Sequence, residues 1–174
     1  TGAQQVGQAW FSGVGHAGLW NGTAASWVDL HPLTSGDSIA WAAHGTQQVG
    51  QVDSHAALWS GTAASRVDLH PVGAAQSVAL ATSGTQQVGA ALIGPSATWL
   101  QHASLWSGTA ASWEDLSLAL AGSWGDTWAL GIGSNGATLY VVGYGYNNAT
   151  QRNEALLWTR PIAAACYSNC DGSS

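Results

Sequence analysis

The sequence predicts an all-β protein built from repeats, and three observations carry that expectation. Short blocks of residues recur at a period of about 40 to 50 positions along the chain. Each block has the length of a strand and is bounded by glycine, too short for a helix to nucleate alone. Hydrophobic residues make up 46% of the chain and include eleven Trp, enough for a packed interior, so the many small residues do not signal disorder.

The repeats are legible block by block. Gln-Gln-Val-Gly stands at Gln4 to Gly7, Gln47 to Gly50 and Gln86 to Gly89, with a divergent copy at Tyr140-Val141-Val142-Gly143. His-Ala-x-Leu-Trp stands at His16 to Trp20, His55 to Trp59 and His102 to Trp106, and returns as Glu154-Ala155-Leu156-Leu157-Trp158. Gly-Thr-Ala-Ala-Ser follows at Gly22, Gly61 and Gly108, then Asp-Leu at Asp29, Asp68 and Asp115. Ser-x-Ala appears at Ser38-Ile39-Ala40 and Ser77-Val78-Ala79, matched loosely by Thr127-Trp128-Ala129. In His55-Ala56-Ala57-Leu58-Trp59, alternation puts His55, Ala57 and Trp59 on one face and Ala56 with Leu58 on the other. Asn21-Gly22, Ser60-Gly61 and Ser107-Gly108 supply the positive φ of a tight hairpin before the next strand.

One unit therefore contains four strands, carrying Ser-x-Ala, Gln-Gln-Val-Gly, His-Ala-x-Leu-Trp and Trp-x-Asp-Leu in turn. That count and period fit a four-bladed β-propeller, whose small sheets cover one another's faces; a β-solenoid is the alternative, although its coils use shorter repeats. The expected organisation is one repeat domain over 1-174, with repeats near 1-37, 38-76, 77-126 and 127-160 and a closing segment over 161-174. The order His-Ala-x-Leu-Trp, Gly-Thr, Asp-Leu, Ser-x-Ala, Gln-Val-Gly resembles the extracellular bacterial HAF repeats over nearly the whole chain before Pro161. Ala57, Gly18 and Ser104 stand where that family carries Phe. The resemblance implies a propeller-like fold and no defined activity.

Composition excludes several classes of function. Charged residues are 7% of the 174, there is no lysine, and Arg66, Arg152 and Arg160 face nine acids for a net charge of -6, so no basic stripe exists to neutralise phosphates. Gly, Gln, Ser and His interrupt every apolar run before the roughly 18 to 20 residues a membrane span needs. The chain opens at Thr1 and contains no Met, which suits a mature product freed of a signal peptide and a secreted or cell-surface location. Cys166 and Cys170 predict a short disulfide loop in an oxidising compartment; the competing reading is half of a metal site.

His16, His55 and His102 with Asp29, Asp68 and Asp115 have the residue types of acid–base or metal centres, but a catalytic set is asymmetric and these recur once per repeat. They are expected to be structural, as are Gln47, Gln48 and their counterparts, whose amides bond across the sheet. Trp20, Trp59, Trp106 and Trp158 recur at one position and are expected in the core, while Trp10, Trp41, Trp99, Trp124 and Trp128 do not recur and are freer to meet a ligand. Asn21 and Asn148 begin glycosylation sequons. Gly131-Ile132-Gly133 belongs to a strand and turn, and no phosphate loop or nucleophile elbow is present. No enzyme activity, cofactor or metal is expected. The first repeat lacks its Ser-x-Ala strand, so Gln4, Gln5 and Val6 form an open edge, and the segment carrying Ile162, Ala164 and Tyr167, redirected by Pro161, can fill that edge in its own ring or in a neighbour's. The expectation is an extracellular structural protein that assembles with itself into a filament or matrix, with a carbohydrate-binding module as the alternative.

Overall fold

A computed structural model describes residues 4–33, 36–96 and 98–162. They form four antiparallel sheets in sequence order, and no α-helix occurs among the described residues. The first sheet holds β1 (Gln5–Phe11), β2 (Val14–Trp20) and β3 (Val28–Asp29). The second holds β4 (Ser38–His44), β5 (Gln47–Val52), β6 (His55–Trp59) and β7 (Val67–Asp68). The third holds β8 (Gln76–Thr82), β9 (Gln87–Ile93), β10 (Leu100–Trp106) and β11 (Glu114–Asp115), and the fourth β12 (Trp124–Ser134), β13 (Thr138–Asn147) and β14 (Arg152–Pro161).

Within the second and third sheets the strands follow the order of the sequence blocks. Among the described residues the first sheet has no Ser-x-Ala strand, and β1 pairs only with β2. The fourth has, among the described residues, no short Asp strand and carries longer strands. In the first strand of sheets two to four a bulge follows Ala40, Ala79 or Ala129, each of which pairs with the glycine of the neighbouring Gln-Gln-Val-Gly block or its counterpart. The bulge pushes a carbonyl against that glycine: a Cβ on Gly50 would overlap the Ile39 carbonyl oxygen, and one on Gly89 or Gly143 that of Val78 or Trp128.

One local expectation changes. Gly22, Gly61 and Gly108 do have positive φ, near +82°. The chain then enters one turn of 3-10 helix (Ala24–Ser26, Ala63–Ser65, Ala110–Ser112) instead of a tight hairpin. The serine ending each turn closes it: Ser65 Oγ accepts from Ser60 N–H at 2.8 Å and donates to the Thr62 carbonyl at 2.6 Å. The course of the chain beyond Ile162 lies outside the described residues, and Pro161 is the last residue of β14. It pairs with Thr138, and Ile162 N–H continues the ladder to the Ala137 carbonyl at 2.8 Å. An edge strand tolerates proline where the missing N–H would face outward.

The core is divided into three layers, each between consecutive sheets. Ala17, Leu19 and Leu30 of the first sheet and its connection meet Ala40, Ala57 and Trp59 of the second. Val49, Ala56, Leu58 and Leu69 meet Ala79 and Trp106 of the third. Val88, Ala103 and Leu105 meet Ala129, Leu139, Val141 and Trp158 of the fourth. One face of each sheet thus offers Val, Ala and Leu, and the next sheet answers with Ala and Trp. The first strands also touch in series, β4 with β8 and β8 with β12. No substantial packing joins the first sheet to the fourth among the described residues.

Candidate functional site

The histidines and aspartates expected to be structural form a polar seam at each sheet interface. At the second interface Ala56 N–H donates to Ser77 Oγ at 2.9 Å, and that hydroxyl lies 2.8 Å from His70 Nδ1. His70 Nε2 meets the Ala74 carbonyl at 3.1 Å. The carbonyl can only accept, so Nε2 carries the proton and Nδ1 receives the hydroxyl of Ser77. Asp68 accepts from His70 N–H at 2.8 Å and holds His55 Nδ1 at 3.0 Å, leaving the two imidazoles stacked with centroids 3.7 Å apart.

The first interface repeats this with Ala17, Ser38, His31, Asp29 and His16: 2.8 Å from Ala17 N to Ser38 Oγ, 2.8 Å on to His31, and 2.8 Å from His16 to Asp29. At the third, Ser117 and Thr127 replace the second histidine and the serine, with hydroxyls 2.7 Å apart, and His102 still meets Asp115 at 2.6 Å. Asp, His and Ser thus stand together without the geometry of a hydrolytic triad. The serine is buried and occupied by a backbone N–H, and the aspartate holds the backbone of the histidine that touches it. What the seam does is satisfy the backbone of one sheet with a hydroxyl from the next.

The glutamines add a second stitch. Gln5, Gln48 and Gln87 each accept the N–H of the turn glycine, Gly22, Gly61 or Gly108, at 2.8 to 2.9 Å. Gln48 Nε2 donates to Gln4 Oε1 at 3.3 Å and Gln87 Nε2 to Gln47 Oε1 at 3.0 Å, so the second glutamine of one repeat bonds the first of the repeat before. Val6 packs against the first core layer. Each cation faces a carboxylate: Arg66 with Asp68 at 3.8 Å, Arg152 with Glu154 at 3.2 Å and Arg160 with Glu114 at 2.8 Å. Asn21 and Asn148 are exposed, and Asn148 Nδ2 donates to Ser123 Oγ at 3.0 Å. Cys166, Cys170, Ala164 and Tyr167 lie outside the described residues. No group of three or more His, Cys, Asp or Glu among the described residues is arranged to hold a metal, and no helix is long and apolar enough to cross a membrane.

No family model, curated protein or solved structure matches this chain. Function must therefore be argued from geometry.

The recurring tryptophans divide. Trp59, Trp106 and Trp158 are buried against the preceding sheet, whereas Trp20 has no preceding sheet and is only partly covered, tilted against Trp27, which lies over Gly18. Of the non-recurring set, Trp10, Trp41 and Trp99 are exposed; Trp124 and Trp128 are half-buried, Trp124 donating to the Ala121 carbonyl at 2.9 Å. His31 and His70 were not singled out by the sequence reading, although Asp-Leu-His-Pro recurs at 29–32 and 68–71 and carried the signal.

Burial, and then the neighbouring His55, hold His70 below the usual histidine range against the Ala74 bond and Asp68; burial and His16 do the same to His31 against Asp29, Asp53 and Asp37. For Asp68 burial raises the pKa, but the bonds from His55 and His70 N–H, with the charges of His55 and Arg66, leave it lowered. A histidine depressed in the folded state binds protons less readily than in the unfolded chain, so stability is full above the unfolded value of about 6.5 and is lost as pH falls through the folded one. The midpoint of thermal unfolding is expected to drop between about pH 7 and pH 5. In the His31→Gln/His70→Gln double variant that slope should flatten; an unchanged slope would refute the assignment.

Proposed function

We propose that this chain is a non-catalytic structural repeat protein, of the HAF type its motifs resemble. Its sheets act as blades of a propeller-like array, and it associates head to tail with copies of itself into an extracellular filament or matrix. The serial contact of β4, β8 and β12 supports the propeller arrangement, because first strands meet one another where blades share an axis. Recurrence of the polar seam in three copies, one of them without its second imidazole, supports a scaffold and not a reaction centre.

The observation that carries self-association is the pair of end faces. Val142, Ala155 and Leu157 occupy on the fourth sheet the positions of Val49, Ala56 and Leu58, with the same cross-strand pairing of Val to Leu. Leu157 is 61% exposed and Val142 50%, where Leu58 is 5% and Val49 0%. At the other end Trp20 offers the indole that Trp59 and Trp106 bury completely. The fourth sheet thus presents one half of the interface found inside the chain, and the first sheet presents the indole of the other half without the alanine of a Ser-x-Ala strand. A second copy is the occupant that matches both. Such a contact is heterologous and propagates. Burying the exposed halves of Leu157 and Val142 would contribute about 1 kcal/mol each.

Sedimentation and electron microscopy across a concentration series test this. The wild type is expected to form elongated species, and Leu157→Asp to weaken association at least tenfold while folding normally, since the side chain is exposed. Leu157→Asp chains keep an intact first sheet and should cap wild-type ends, shortening the assemblies when mixed in. Val72→Asp, an exposed apolar position away from both faces, should assemble like the wild type. A wild type that stays monomeric at high concentration, or a Leu157→Asp chain that assembles equally well, overturns the proposal.

A further inference from the structure

We propose that a cleft at one end of the fourth sheet binds a neutral carbohydrate. The cleft measures about 410 Å³ and runs beneath Trp128, Tyr144 and Tyr146 with Asp126 and Asn153 at its polar margin, inside the range of about 300–1,000 Å³ usual for small-molecule sites. A smaller hollow of about 160 Å³ continues it past Trp128 toward Gln51, Gln76 and Gln101.

The symmetry of the repeats is broken at the cleft. Trp128 and Tyr144 are cross-strand partners in β12 and β13. The equivalent pair is Ile39 with Gln51 in the second sheet and Val78 with Ala90 in the third. Here two large aromatic rings stand in place of Ile39 with Gln51 and Val78 with Ala90, on a face that no further sheet of this chain covers, so packing within the chain gives no reason for them. Tyr146, two residues along the same strand, extends the aromatic surface on the same face.

The polar groups around the cleft are left open to a ligand or to water. Asp126 Oδ1 accepts the backbone N–H of Gln101 at 2.8 Å, and that is its one hydrogen bond among the described residues. The side-chain amides of Gln51, Gln76, Gln101 and Asn153, the indole N–H of Trp128 and the phenol of Tyr144 have no protein partner among the described residues. Gln48 and Gln87, by contrast, each donate and accept within the protein through their side-chain amides. Gln76 shows the cause: it stands where Asp37 and Asp126 cap an N–H of the preceding sheet, and makes no such bond itself.

Unpartnered amides beside flat aromatic rings match the chemistry of a sugar ring. Its C–H face packs on an aromatic face, and its neighbouring hydroxyls each need a donor and an acceptor, which an amide supplies together. No Lys or Arg lines either hollow, and the Asp126 carboxylate disfavours a phosphate, sulfate or uronate. Neutral sugars are left. The inference does not rest on self-association, although the cleft borders the proposed docking face: Tyr144 pairs with Ala155 and stands two residues from Val142 on β13, so the site is open in the monomer.

The test is calorimetric titration of the full chain, at concentrations where it is monomeric, with maltotriose, cellotriose, chitotriose and mannotriose, and with a trigalacturonate as the anionic probe. At least one neutral trisaccharide is expected to bind. Trp128→Ala and Tyr144→Ala should each weaken it at least tenfold with unchanged thermal unfolding, Trp128→Phe should retain part of the affinity, and Trp10→Ala, on the exposed end of β1, should bind as the wild type does. Absence of binding to all four neutral probes at millimolar concentration, binding undiminished in Trp128→Ala, or tighter binding of trigalacturonate would each overturn it. If Trp128→Ala unfolds, Tyr144→Phe and Gln101→Ala decide instead: both should weaken binding, and unchanged affinity in both counts against the site.

Discussion

Trp106→Ala is expected to remove about 3–5 kcal/mol of stability, the range for deleting a large buried ring from a core that cannot collapse into the space. Against a total of about 5–15 kcal/mol this is a large fraction. Trp106 is fully buried between the second and third sheets, against Val49, Ala56, Leu58, Leu69 and Ala79. The sheets around it are held by their own ladders and by the seams, so they cannot close the cavity. Its indole N–H has no hydrogen-bond partner, unlike that of Trp158, which donates to the Leu116 carbonyl at 2.9 Å. Trp106→Phe removes that buried donor along with some volume, and relief of about 1–3 kcal/mol should offset much of the lost packing. Urea unfolding should therefore rank wild type and Trp106→Phe close together and Trp106→Ala far below. Trp20→Ala should cost much less, because its ring is only partly covered. A loss under about 1 kcal/mol for Trp106→Ala would mean that the layered core is wrongly placed.

The second large effect is steric and differs between copies of one motif. Gly89→Ala would force a Cβ into the Val78 carbonyl oxygen, with the Val78 carbonyl carbon and Ala79 Cα also within 3.0 Å. These are backbone atoms of a paired, bulged strand, so nothing nearby is free to yield. Destabilisation of about 3 kcal/mol or more is expected, at or above the upper end for overpacking. Gly50→Ala meets the same obstacle at Ile39. Gly7 occupies the same place in the motif, yet a Cβ there would find only Trp20 at 3.7 Å, because the first sheet has no bulged strand beside it. Gly7→Ala should be neutral or stabilise slightly, by up to about 1 kcal/mol, through reduced freedom of the unfolded chain. Thermal unfolding of the three variants checks this directly. Equal losses at Gly7 and Gly89 would show that the glycine serves the turn or the strand itself and not the bulge.

The repeat was legible in the sequence because it is local. Strand length, alternation and the glycine that ends each block are properties of a few consecutive residues, and the order of blocks became the order of strands in the second and third sheets. The missing first strand of the opening repeat was legible for the same reason, since a block is either present or absent. Where chemistry depended on the neighbouring sheet, sequence carried less. The recurrence of His16, His55 and His102 argued for a structural role, and Asp-Leu-His-Pro marked His31 and His70 in the same repeats, but the serine hydroxyls that these meet belong to the next sheet, across an interface that no local pattern encodes. The turn after Gly22 was misjudged because the serine that closes it acts four residues later, on the residue before the glycine.

Four tryptophans at one motif position read as four equal core residues, yet three are buried and Trp20 is partly open. Val142 and Leu157 likewise carry the same motif as Val49 and Leu58 and meet the opposite environment. Burial depends on what stands on the far side of a sheet, and that is fixed by how many sheets the chain stacks and which face each presents. Sequence by itself determined the all-β character, the repeat and the blocks that became strands in the second and third sheets. Only the tertiary structure decided which copies are covered, because a side chain's exposure is set by its neighbours in space and not by its neighbours in the chain.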